Sequence, residues 1–288
     1  MSLVRSRRLW AVVACCVVCL CAPSSAPAKQ PITRALWVWG EASPATATWA
    51  AREDFDTLLL EIPGVRIGAT STAKVIRAAR AGSMKVWALS GHPDWARGTA
   101  AVRKWTRRVR RTKGLSGIVL DIEPYLLDQW DTARRRTIEN YLRSLRAAKR
   151  AAGPLPVMAA VPFWFDHDTY RDRDGTLAEK IAGIVDEVAV MAYRDRALGS
   201  DSIVTLSRGE VDISSRLGKA ALITVQTAPD SLDKLTFHEE GVAELQKALD
   251  ATIAAFESQP GFRGIAVHHY SAYRRFLDNR SAHPWPNS

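Results

Sequence analysis

Residues 117–125 read GIVLDIEPY, and the reading of this stretch decides the fold. Ile118, Val119 and Leu120 form a short apolar run that ends in two carboxylates two positions apart, Asp121 and Glu123, before Pro124 stops it. On a strand, side chains at i and i+2 share a face, so both acids point the same way. A strand that is apolar on both faces belongs to a parallel sheet covered by helices. Two acids at its C-terminal end are costly unless they face a cleft or each other. In a barrel of parallel strands, that end is the face that carries the chemistry.

Seven similar runs flank this one. They fall at 34–40, 57–62 and 84–90 before it, and at 156–165, 187–193, 220–225 and 264–270 after it. Helical patterns separate them at 71–81, 99–111, 132–152, 176–185 and 242–257, with a short helix at 45–52 and an irregular helical region at 200–217. Eight strands alternating with helices predict a single-domain (β/α)8 TIM barrel over 34–280, after a linker at 29–33 and before a tail at 281–288. An open doubly wound sheet would show a Gly-rich phosphate turn after its first strand, whereas this chain has Trp39-Gly40-Glu41 there.

The first residues read as an export signal over 1–28. Arg5, Arg7 and Arg8 precede an apolar run at 9–22, and small residues close it at Ala26-Pro27-Ala28. Arg7-Arg8 also approximates a twin-arginine signal, so the route is Sec or Tat and the destination secreted or cell-envelope. The apolar run is short for a membrane span, so none is expected after cleavage. All four cysteines lie within 1–28, which excludes disulfides, thiolate zinc sites and cysteine nucleophiles from the remainder. The formal charge of +10 falls to +7 without the three arginines of the signal. The excess gathers at 102–113 and 133–150, where it reads either as solvated helix faces or as a means of meeting anionic cell-wall polymers. No nucleic-acid module accompanies it, so no specific nucleic-acid partner is expected.

The strand ends offer a consistent set of groups. Trp37 and Trp39 close the first strand, Glu61 the second, Ser90 and His92 the third, and Asp121, Glu123 and Tyr125 the fourth. Trp164, Asp166, His167 and Asp168 follow the fifth, Tyr193 and Asp195 the sixth, Gln226 the seventh, and His268, His269 and Tyr270 the eighth. Acids and aromatic rings on one rim suit a sugar, because rings stack on its apolar faces while carboxylates handle hydroxyls and protons. Trp87 and Trp105 read as core.

Residues 116–123, SGIVLDIE, resemble the DGxDxDxE strand of the family 18 glycoside hydrolases, the chitinase-like barrels, with Gly117, Asp121 and Glu123 matching and Ser116 and Val119 replacing two aspartates. Met191-Ala192-Tyr193 resembles that family's MxY, with Arg194 where an Asp often follows. The resemblance implies hydrolysis of glycosidic bonds in a cell-wall or extracellular polysaccharide. Glu123 would be the proton donor, keeping its proton near neutral pH, while Asp121 orients and Tyr193 holds the acyl oxygen of an N-acetyl group acting as internal nucleophile. Trp39, Glu61, His92, Trp164, Asp166, Asp195, Gln226, His268 and Tyr270 would line the substrate. A two-carboxylate route remains open, with Glu61, Asp166 or Asp195 as second acid; Gln226 cannot serve as that nucleophile.

Three other readings stand beside this one. The barrel could bind carbohydrate without cleaving it, as a lectin does. Asp121 and Glu123 could be only a hydrogen-bonded structural pair. His92, His268 or His269, Glu61 and Asp121 could converge on a metal in a hydrolase or deacetylase, although no HExxH is present. The principal reading requires no cofactor and no metal.

Overall fold

The computed structural model describes residues 31–40, 42–63 and 69–282. The expected export signal at 1–28 lies outside them, as do Glu41 and the end of the expected tail, 283–288. The described residues belong to one compact unit, in which eight parallel strands close into a barrel. The strands are β1 (Thr33–Val38), β2 (Thr57–Glu61), β3 (Lys85–Ser90), β4 (Gly117–Leu120), β5 (Val157–Pro162), β6 (Glu187–Met191), β7 (Ala220–Gln226) and β8 (Phe262–His268). Each pairs with its sequence neighbours, and β8 closes on β1 through Thr33 opposite Gly264 and Leu36 opposite Val267. No strand edge is left open, which removes the hazard of unpaired backbone.

Helices α1 (Pro44–Arg52), α2 (Ala69–Ala81) and α3 (Thr99–Val109) follow the first three strands. The crossover after β4 holds a short α4 (Gln129–Thr132) and the long α5 (Arg134–Ala152). Then come α6 (Leu177–Ala182), α7 (Ile203–Leu217), α8 (Gly241–Phe256) and, after β8, α9 (Tyr270–Ala282). Local chemistry sets several of the ends. Thr176 and Glu179 form a capping box that starts α6, and the Ser202 hydroxyl accepts from the Thr205 N–H to start α7. Gly218, at φ +62°, turns α7 off in the left-handed region.

Strand alternation divides the apolar residues between two cores. Ile118, Leu120 and Ile122 pack outward against Val102, Trp105, Leu142 and Leu145 of the helices. Trp37, Leu59, Trp87, Leu89, Val119, Met158 and Leu222 point inward and fill the barrel. Gly117 is small of necessity, because a Cβ there would stand 2.3 Å from the Trp87 ring. Trp87 and Trp105 are both core, and the Trp105 indole N–H donates to the Ile62 carbonyl at 2.9 Å.

Candidate active site

The inward positions of β4 are Gly117 and Val119, and Asp121 and Glu123 continue the same alternation beyond its end. The ladder stops at Leu120, but the Asp121 N–H still donates to the Ser90 carbonyl at 3.1 Å, holding this segment beside β3. Here the two chains touch: a Cβ on Gly91 would stand 1.7 Å from the Asp121 carbonyl oxygen. Burial, and then the neighbouring Glu123 charge, push the Asp121 carboxyl up to about 7. Burial, expected from the sequence to hold a proton on Glu123, acts in this way on Asp121. Glu123 accepts a hydrogen bond from the Tyr125 hydroxyl.

Tyr193 lies two residues past the end of β6 and continues the inward series Ala189, Met191. Its hydroxyl is held well above the usual tyrosine range, first by burial and then by the Asp121 and Glu123 charges. Tyr125 is raised by burial and by the same two acids, so the four groups share one electrostatic neighbourhood. The Tyr193 ring lies 5.9 Å from that of His268, which meets Trp37 at 5.7 Å, and Trp37 stacks on Trp39 at 6.3 Å. On the other flank Tyr125 meets Trp164 edge-on at 5.4 Å. Burial, and then His269, push His268 down to about 4, so its imidazole is neutral at physiological pH. The peptide bond joining His268 to His269 is cis.

Among the described residues, four buried polar atoms on the inward face have no hydrogen-bond partner: Trp37 Nε1, Asp121 Oδ1, Thr224 Oγ1 and His268 Nδ1. The Tyr141 hydroxyl of α5, in the outer core, is likewise unpartnered, and is raised first by burial and then by the Asp121 and Glu123 charges. Such an atom costs about 1–3 kcal/mol when left unsatisfied, so a polar group brought against any of them would be stabilised. Among the described residues no group of three or more His, Cys, Asp or Glu could hold a metal ion.

The residues expected from sequence divide accordingly. Asp121, Glu123, Tyr193, Trp39, Trp164 and His268 come together. Glu61 occupies an inward position, but its carboxylate accepts from the Gly40 N–H at 2.6 Å and braces the end of β1. Gln226 pairs in register with His268 and donates to Asp230 at 2.9 Å. Four others are not brought in. His92 follows outward-facing Ser90; its side chain is 62% exposed and accepts from the Asp94 N–H. Asp166 ends the 3-10 turn Phe163–Asp166, which swings it beneath α7, where a Cβ on Gly209 would stand 1.8 Å from its Oδ2. Asp195 donates its backbone N–H to the Lys234 carbonyl at 3.1 Å, on the rim between β7 and α8, where Glu240 is raised first by burial and less by Asp195. Tyr270 is the first residue of α9 rather than the end of β8, and packs edge-on against Trp49 of α1 at 5.2 Å. His92 thus stands apart from Asp121 and His268, and the set named for a metal does not converge. Arg194 is buried, ion-paired to Asp201 at 2.6 Å and laid over the Phe163 ring at 5.1 Å.

Thr224, Tyr141 and the buried Glu210 were not singled out from the sequence. Thr224 was readable, since it shares the inward parity of Leu222 and Gln226 on β7. Tyr141 carried no signal beyond its place on the apolar face of α5.

No protein-family model matches the chain, and no curated protein sequence matches it. Solved structures do share its fold. The spore cortex-lytic enzyme SleL of Bacillus cereus is similar over 87% of this chain and 75% of its own, with 13% identity and a TM-score of 0.55. A class V chitinase from Pseudomonas fluorescens Pf-5 covers 86% of this chain and all 100% of its own, at 12% identity and a TM-score of 0.53. A GH10 xylanase from Thermobacillus composti covers 84% of each chain at 13% identity and a TM-score of 0.55. The barrel is one that glycoside hydrolases use.

Proposed function

We propose that this chain is an exported glycosidase that cleaves glycosidic bonds in a cell-wall or extracellular polysaccharide, with Glu123 delivering the proton to the leaving oxygen. The observation that carries the reading is the cluster of Asp121, Glu123 and Tyr193 at the C-terminal mouth of the barrel, where Asp121 keeps a proton up to about pH 7. A general acid serves best when its proton is held near the working pH. Asp121 is the reserve of that proton for Glu123, which the Tyr125 hydroxyl holds in place. Tyr193 stays protonated and donates to the acyl oxygen of an N-acetyl group, the arrangement of a substrate-assisted reaction. Trp39, Trp164 and Tyr125 offer ring faces to the sugar. The neighbours named for cortex lysis and chitin cleavage support a polysaccharide as substrate, and the positive charge of the chain suits an anionic wall polymer. No step of this route requires a cofactor.

The test is product release from chitin, peptidoglycan and galactosamine-containing polymers by wild type and Glu123→Gln. Turnover by wild type that falls by about a thousandfold or more in the variant, with sugar affinity kept, is the expected result. Undiminished turnover in Glu123→Gln would remove Glu123 from the role. A carbohydrate-binding barrel without catalysis is the second reading. It is favoured by the engagement of Glu123 with Tyr125 and by Val119 in place of an acid, and it predicts saturable polymer binding with no product from either form.

A further inference from the structure

The outer face formed by α3 and α5 is strongly basic and nearly free of acids. The two helices pack side by side, and the Arg110 guanidinium at the end of α3 donates to the Ala151 carbonyl of α5 at 3.2 Å. No Asp or Glu occurs in residues 96–116, and α5 carries only Glu139, which pairs with Arg135 at 3.0 Å. Arg103, Lys104, Arg107 and Arg111 are exposed along one hollow of this face. On α5, the exposed Arg136, Arg143 and Arg150 are spaced seven residues apart. Seven residues span about 10.5 Å of helix. They also return to nearly the same side, drifting by only ~20°. The three guanidinium groups therefore form a straight stripe, whose step is about the length of a disaccharide.

The stripe begins at the mouth of the barrel. Arg136 lines a groove with Ala96, Arg97, Leu127 and Gln129, and Leu127 lies four residues past Glu123. From there α5 runs down the wall of the barrel.

We propose that this face docks an anionic polysaccharide bearing one carboxylate per disaccharide, held by Arg136, Arg143 and Arg150 and flanked by the cations of α3. The inference deepens the functional reading, and rests on it for the class of polymer, but not on Glu123 as an acid. Arginine is suited to this task, because its planar fork meets a carboxylate with two parallel hydrogen bonds. Nucleic acid fits less well. Its duplex strands carry a charge every ~3.4 Å. Binding to single strands relies on aromatic stacking, and the aromatic residues of α3 and α5, Trp105 and Tyr141, are both buried.

The experiment measures affinity for hyaluronan, which carries one carboxylate per disaccharide, for neutral dextran and for single-stranded DNA against increasing NaCl. Wild type is compared with Glu123→Gln and with the triple variant Arg136→Gln, Arg143→Gln, Arg150→Gln. A control triple, Arg52→Gln, Lys74→Gln, Arg77→Gln, removes the same charge from exposed positions on α1 and α2. The expected result is salt-sensitive binding of hyaluronan alone, weakened about tenfold or more by the α5 triple and less than about twofold by the control. Glu123→Gln is expected to bind as wild type does. Replacing the same three arginines by lysine keeps charge and fold and is expected to give intermediate binding. Equal weakening by both glutamine triples, wild-type binding by the lysine triple, DNA bound as tightly as hyaluronan, or no binding of hyaluronan would each overturn the proposal. Polymer binding without turnover would instead remove the catalytic reading and leave this one standing.

Discussion

Replacing Asp121 by Asn should make the protein more stable at neutral pH, by an amount that depends on pH in a defined way. In the folded chain Asp121 keeps its proton up to about pH 7, whereas its ordinary value is 3.8. Between those values the folded state holds one more proton than the unfolded state, so wild-type stability falls as pH rises. Each pH unit is worth about 1.4 kcal/mol, so the interval comes to about 4 kcal/mol, fully lost above about pH 7. Asparagine has no such term, although its amide meets the same unpartnered surroundings at a cost of about 1 kcal/mol. Urea denaturation of both proteins from pH 4 to 8 should show near equality at pH 4, where Asn is slightly the weaker. The variant should gain steadily to about 3 kcal/mol by pH 7.5 and then level off. A difference that is flat across this range would refute the argument that burial holds a proton on Asp121.

Two further outcomes follow from close contacts and buried charge. Gly91→Ala would drive a methyl group into the Asp121 backbone, and should cost about 3 kcal/mol or more in denaturant unfolding while displacing the acids enough to abolish turnover. A variant within 1 kcal/mol of wild type would show that the β3 end yields easily. Glu210 is only 1% exposed, has both carboxyl oxygens unpartnered and is raised well above its usual range, first by burial and then by Asp166. Because a raised acid weakens the fold as pH climbs past its ordinary value, Glu210→Gln should melt higher than wild type at pH 7 and close to it at pH 4. A lower melting temperature for the glutamine variant at pH 7 would mean that the charged form is what the fold uses.

The eight-strand frame was legible because each strand is a nearly unbroken apolar run and each long helix repeats on a 3.6-residue period. The inward direction of Asp121 and Glu123 followed from the period of two alone. Errors arose where the chain leaves regular structure. The run 156–165 read as one strand, but β5 ends at Pro162 and a 3-10 turn carries Asp166 away from the mouth. Likewise 264–270 read through to Tyr270, where α9 in fact begins. Glu210 was hidden by its type, since an acid is taken for a solvated position. Yet Ile203, Ser207, Glu210 and Ser214 fall at i, i+4, i+7 and i+11, and all four are buried.

The barrel is stopped from within. Trp87 lies flat against Gly117, and Trp37, Leu59, Met158 and Leu222 fill the remaining bore. The mouth is consequently closed from below, and nothing can be threaded through the barrel from end to end. A polysaccharide bound as proposed would have to lie across the rim with one unit toward the acids. If it is cleaved there as proposed, both new ends would leave over the rim by which the chain arrived, so that departure of the fragments would compete with arrival of the next stretch of chain.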